Sequence, residues 1–245
     1  MIDWLRPDAR LRRDAPRTIE LGSEVLPVEI RRHPTARRMV LRLAPDGESV
    51  RVTIPRWGRV GDALRFAQDR SAWLAQQRAQ LPQRNAPEPG GTLAYRGSPL
   101  TIGWDETLPR KVRLDGDTLR LGGPRETLAP RLKRWLQAEA RRLLADDLAF
   151  YSDCAGLDVP PLALSSARRR WGSCSSSGAM RINWRLVMAP DAVRRSVVAH
   201  ETAHRVYFDH SPAFHALLGQ LYEGDLPAAD RWLKTRGPTL FSPFG

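Results

Sequence analysis

Apolar and polar residues alternate through the first part of the chain. In VLPVEIRRHPTARRMVLRLAPDGESVRVTIP, Val28 and Ile30, then Met39, Leu41 and Leu43, then Val50, Val52 and Ile54 recur at every second position. A period of two sends successive side chains to opposite faces of a strand, so these runs predict strands with one buried face. Pro45-Asp46-Gly47 supplies turn chemistry between the last two, and the whole is expected to be an antiparallel β unit. The period then changes. In RVGDALRFAQDRSAWLAQQRAQL, Leu64, Ala67, Ser71, Leu74 and Leu81 share one helical face, which predicts a single amphipathic helix. PQRNAPEPGG reads as a linker. Two more hairpins follow in TLAYRGSPLTIGW and KVRLDGDTLRLGG, the second turning at Asp115-Gly116.

From Glu126 the spacing is helical again. Leu132, Trp135, Leu136, Ala140, Leu143, Leu144 and Leu148 mark one buried stripe, and Gly156 is a C-terminal stop. LALSSARRRWGSCSSSGAMRINWRLVMAP returns to a strand-turn-strand pattern, and helices are expected over 191–207 and 212–223. The fold class predicted is α+β. Residues 1–123 form an antiparallel β-rich region with one helix, behind a charged, mobile leader of residues 1–18. Residues 124–245 form a second domain. No internal repeat is visible.

The 191–207 helix carries the chemistry. His200-Glu201-Thr202-Ala203-His204 is an HExxH motif. Histidines at i and i+4 lie one turn apart on the same face, so two imidazoles can meet one ion. Glu201 projects beside them and can reach a metal-bound water without taking a coordination position. Pro190 and Asp191 stand where a helix should start, with Asp191 as its cap. The motif sits on a segment that would otherwise be a buried helix, where two imidazoles and a carboxylate would be costly without partners.

A catalytic zinc site usually keeps three protein ligands and an open position. Two residues compete to be the third ligand. His210 follows His204 after RVYFD, long enough for the helix to end and the chain to fold back, and Ser211-Pro212 would start the next helix just beyond it. Glu223 lies on that next helix. His210 is favoured, because the Asn-Glu-x-x-x-Asp element that usually accompanies a distant glutamate ligand is absent. His215, within the second helix, is expected to be a helix-face histidine without a role.

Composition changes this picture little. The formal net charge of +12 suggests an anionic partner. Yet 36 of the 39 basic residues are arginine, scattered along the chain, and a solvated basic surface is the simpler reading. Arg31, Arg32, Arg37 and Arg38 form the best basic cluster for DNA or RNA. The two cysteines, Cys154 and Cys174, are too few for a disulfide framework. No apolar run suits a signal peptide or a membrane span, so a cytoplasmic protein without a membrane partner is expected.

The segment RRRWGSCSSSGAMRINWRLVMAPDAVRRSVVAHETAHRVYFDHSPAF resembles the signature of the YgjP-like metallopeptidases, relatives of the SprT-like zincins. Its elements are Arg170 to Cys174, Ile182-Asn183-Trp184, His200 to His204, and His210-Ser211 with Phe214. The resemblance implies one Zn2+ held by His200, His204 and His210, with Glu201 as catalytic acid/base. It also implies a zincin-like, minigluzincin-type catalytic domain whose HExxH helix lies beneath a small antiparallel sheet, with the β-rich half packed against it. The chain departs from the family in having His215 where Trp is common and Thr202 where Leu is frequent.

A peptide or protein substrate is expected on this reading. Arg170, Asn183 and Tyr207 are candidate substrate or transition-state contacts, and the strand Arg181 to Val187 a candidate edge for an extended peptide. RWGSC is expected to clamp the catalytic helix, with Cys174 buried and not nucleophilic. Two alternatives accompany the peptidase. One is a metal-dependent nucleoside triphosphate (UTP) pyrophosphatase, although no Walker-type phosphate loop is present. The other is a nucleic-acid-associated, SprT-like protease.

Overall fold

The computed structural model describes residues 17–22, 24–44, 47–79 and 85–244. The chain divides into two compact units, Met1–Leu81 and Pro82–Gly245. The division falls at Leu81/Pro82, not at 123/124. The reason is a shared core: Leu93, Ile102, Leu119 and Leu121 of the expected β-rich region pack in one cluster with Leu132, Leu136 and Leu144 of the long helix.

In the first unit, β1 (Thr18–Leu21), β2 (Glu24–Arg32), β3 (Val40–Leu43) and β4 (Val50–Ile54) form a sheet of order β1-β2-β4-β3. The sheet is mixed, because β4 runs parallel to β2 and antiparallel to β3. Burial explains the exchange of positions. Val50, Val52 and Ile54 are fully buried, which suits a central strand, whereas β3 is only partly buried and takes the edge. Most of the expected leader (residues 1–16) and Pro45-Asp46 of the expected turn lie outside the described residues. The predicted single helix is two, α1 (Val60–Gln68) and α2 (Ser71–Ala79). Arg70 donates its N–H to Ala67 only three residues back, which tightens the last turn, and Leu74 restarts the ladder on the Arg70 carbonyl. Ala63, Ala67 and Leu74 then all reach the sheet's apolar cluster.

The second unit opens with the same topology. β5 (Thr92–Tyr95), β6 (Ser98–Trp104), β7 (Arg113–Asp115) and β8 (Thr118–Leu121) are ordered β5-β6-β8-β7, again with the inner pair parallel and the outer pairs antiparallel. A repeat invisible in the sequence is thus present in the strand order. α3 (Leu128–Cys154) buries the predicted stripe except Trp135, which is half-buried. It ends as Gly156 predicts: Gly156 has φ +64°, its N–H donates to Asp153, and the Leu157 N–H donates to Ser152. Those two bonds make a Schellman cap.

β9 (Leu162–Ser165), β10 (Gly172–Cys174) and β11 (Met180–Asn183) make a third sheet, ordered β10-β11-β9. It too is mixed instead of antiparallel, since β11 runs parallel to β9. A buried 3-10 turn, Trp184–Met188, leads into α4 (Asp191–Ala203), followed by α5 (Pro212–Leu221) and α6 (Leu226–Thr235). Among the described residues no helix is long and apolar enough to cross a membrane.

The start of α4 is fixed electrostatically. Asp191 is not the cap: Pro190 holds that position, and the Asp191 carboxylate instead accepts from Arg96 (3.0 and 3.1 Å to Nε) and from Arg194. Arg194, itself buried, donates to the buried Asp147 of α3 at 2.7 Å. Burial pulls the Asp191 carboxyl upward, but the bonds and charges of Arg96 and Arg194 outweigh it and hold it below 3.8. A depressed folded pKa stabilises the fold above the unfolded value and is lost as pH falls through the folded one. Asp191→Asn should therefore melt below wild type at pH 7, and the gap should close as pH drops below about 4. Melting temperatures of both proteins across that range check this.

Candidate metal centre

α4 presents His200 from its last full turn and His204 as its C-terminal cap residue, still in helical geometry. Their Nε2 atoms are 3.1 Å apart. After Ala203 the chain tightens, with Val206 and Tyr207 both donating to the Ala203 carbonyl, and RVYFD reverses direction. His210 arrives with its Nε2 3.4 Å from that of His200. The next residue, Ser211, caps α5 by accepting from the Phe214 N–H, and Pro212 occupies the first helical position. The Ser-Pro helix start thus sits directly behind the third imidazole. Phe214, fully buried, packs its ring centroid 5.1, 4.6 and 4.8 Å from those of His200, His204 and His210.

These three residues fit a metal such as zinc. Their ligand atoms all lie within 4.8 Å of one another. Tetrahedral nitrogen donors at zinc distances would stand about 3.3 Å apart, between the 3.1 and 3.4 Å separations found. The His204 Nδ1 is 3.0 Å from the Tyr207 carbonyl, to which it donates as an N–H, leaving Nε2 with a free lone pair. Burial, and then the neighbouring His204, His210 and His215, push His200 down to about 4, so it is neutral and able to ligate near pH 7. Glu223, the rival ligand, lies elsewhere: its carboxylate accepts from Arg195 (2.5 Å) and Tyr151 (2.8 Å).

Glu201 is buried on the same helix, and burial pushes its carboxyl up to about 7 against the lowering pulls of the Cys174 N–H and of Arg170. β10 lies directly over it. A Cβ built on Gly172 would stand 2.5 Å from the Glu201 Cγ and Oε1, so only glycine lets the strand approach this closely. The expected clamp is therefore present. Trp171 is half-buried, with its indole against Gly237 and 5.6 Å from the Phe241 ring. Cys174 is a free, half-buried thiol that burial and the Glu201 charge push up, which does not suit a nucleophile.

An open cleft of about 530 Å³ borders His200 and Glu201. Arg170 lines it. Tyr207 contributes its backbone carbonyl to His204, while its ring is exposed in the reversal. Asn183 does not fit its expected role. It is fully buried, its amide donates to the Ala167 carbonyl at 2.7 Å, and its oxygen accepts from the Arg185 N–H, so it caps the 3-10 turn. Nor is Arg181 to Val187 an edge: β11 is the central strand, Trp184 onward is the 3-10 turn, and β10 is the edge nearer Glu201. Conversely, His215 and Asp230 line the cleft. His215, expected to be idle, reaches it because it follows Phe214, the residue beneath the imidazoles. No signal in the sequence marked Asp230.

The family model of the YgjP-like metallopeptidase domain matches residues 37–236. The chain belongs to the YgjP-like metallopeptidase family. The matched span runs from the turn before β3 to the residue after α6 and contains every element of the imidazole cluster. Membership supports a metal-dependent enzyme of the hydrolase class, in keeping with the His200, His204 and His210 cluster. No curated protein and no solved structure matches the chain.

Proposed function

We propose that this protein is a zinc-dependent peptidase acting on peptide or protein substrates. The observation that carries the reading is the pairing of three converging imidazoles with a buried carboxyl, Glu201, which lines a cleft beside His200, the first of the three. His200, His204 and His210 would hold the ion. The chemistry supplied by zinc there is Lewis acidity, which polarises a carbonyl and makes water acidic near neutral pH. Glu201, with its pKa raised to about 7, takes a proton from the attacking water and hands it to the leaving amine. Gly172 and the Cys174 N–H hold that carboxyl in place. Arg170, which lines the cleft, would stabilise negative charge developing on the substrate oxygen.

The cleft favours a peptide over a nucleoside triphosphate. Leu218, Leu226 and Leu233 supply apolar lining suited to a side chain, and Arg170 is the one Arg or Lys in a lining that also holds the acidic Asp230. The edge of β10 offers a place for an extended backbone. Asn183 donates its N–H to the Trp171 carbonyl, so alternation turns the backbone groups of Gly172 away from β11.

The test is metal analysis of the purified protein beside two assays, cleavage of casein-derived peptides and hydrolysis of UTP. Chelation should abolish peptide cleavage and added zinc should restore it. UTP hydrolysis without any peptide cleavage would overturn the reading.

A further inference from the structure

A second groove lies in the same unit, at the start of α3. Arg110, Lys111 and Val112 enter it from the β6–β7 connection, Thr127 from the turn that caps α3, and Arg131, Arg134 and Trp135 from α3 itself. Its volume is about 590 Å³, and its lining contains four cations and no carboxylate. We infer that this groove is a binding site for nucleotide phosphates.

The argument starts from charge. Arg131, Arg134 and Trp135 occupy positions i, i+3 and i+4, which share one helix face. Arg131 is pinned, because it donates to the Gly122 carbonyl. Arg110, Lys111 and Arg134 have no ion-pair partner among the described residues. Cations held together without counter-charge repel one another, and a ligand bearing several negative oxygens relieves that repulsion. Guanidinium groups match phosphate oxygens through paired N–H donors. A scattered basic surface would not gather four cations along one open groove without a carboxylate among them.

The wall of the groove narrows the ligand class. Trp135 is fixed against Tyr95, with ring centroids 5.0 Å apart, so a half-buried indole stands beside the cations. Phosphate oxygens for the cations and a flat ring for the indole occur together in a nucleotide, free or within a strand. The volume falls in the range of small-molecule sites, well beyond one phosphate ion. The groove is also separate from the imidazole cleft. The two share no lining residue. α3 meets α4 through Asp147, which is 147 − 131 = 16 residues past Arg131, or about 24 Å along the helix.

The experiment titrates the full-length protein by calorimetry with UTP and with inorganic triphosphate, and by anisotropy with a labelled single strand of about ten nucleotides, over a range of salt. The variant is Lys111→Glu with Arg134→Glu. The controls are Arg37→Glu with Arg38→Glu, and His204→Ala. We expect wild type and both controls to bind, UTP to bind more tightly than inorganic triphosphate, and the groove variant to lose at least about tenfold in affinity at unchanged metal content. Tighter binding of the strand than of UTP identifies a nucleic acid as the source of the phosphate, and the reverse identifies the free nucleotide. The inference is overturned if no probe binds, if Arg37→Glu with Arg38→Glu loses as much as the groove variant, or if inorganic triphosphate matches UTP. Loss of binding in His204→Ala would place the ligand in the metal cleft and overturn it too.

Discussion

Glu201→Gln should keep its metal at the wild-type content and lose peptidase turnover by about 10²–10⁴-fold, the usual contribution of a positioned general base. His204→Ala should lose both metal and turnover. The contrast follows from where the side chains point. His204 is tied to the Tyr207 carbonyl through Nδ1 and offers Nε2 to the cluster, whereas Glu201 faces β10 and accepts from the Cys174 N–H. Gln is nearly isosteric with Glu and can still accept that bond through its oxygen, so the mutation removes the proton acceptor without opening a cavity. Metal content by mass spectrometry and turnover on a casein-derived peptide measure the two effects separately. If metal content fell as far in Glu201→Gln as in His204→Ala, Glu201 would be a ligand and the proposed division of labour would be wrong.

The parts of this site that the sequence discloses are those fixed by local geometry. The i and i+4 histidines, the reversal after His204 and the Ser211-Pro212 helix start all act within a few residues, and the structure places them as their spacing implies. Long-range events were hidden. β4 moves to the sheet centre because its inner face is wholly buried, and nothing in a period-2 pattern states that a strand will pair in parallel. The sheet of β5 to β8 joins the catalytic unit because its apolar face is covered by α3, which the linker-like composition of residues 82–91 does mark, but the later boundary at 123/124 does not. Asn183 is a polar residue whose place in the chain does not state whether its amide meets a substrate or the backbone. Its neighbours use it to satisfy backbone groups left over where the strand becomes a 3-10 turn. The basic groove at α3 was masked for a related reason: residues 110–111 and 131–134 belong to different patterns, and only the fold puts them together.

Gly172→Ala should leave the fold and the bound metal in place and still remove most activity. Glu201 is 29 positions along the chain from Gly172 (201 − 172), yet a Cβ at residue 172 would meet its carboxyl at 2.5 Å, closer than non-bonded atoms sit. Something must shift, and the flexible partner is the glutamate side chain. Moving it costs the Cys174 hydrogen bond and the position from which the proton is taken, so kcat should fall more than KM rises. The three atoms nearest the new methyl all belong to Glu201 and none to an imidazole, so the metal content should hold. A double-mutant cycle separates geometry from general damage. In a Glu201→Ala background the three atoms nearest the new methyl are gone, so Gly172→Ala there should cost little further stability and no further activity. Thermal melts and turnover of the four proteins give the coupling. Wild-type activity in Gly172→Ala would mean that Glu201 works from a position other than the one it occupies against β10.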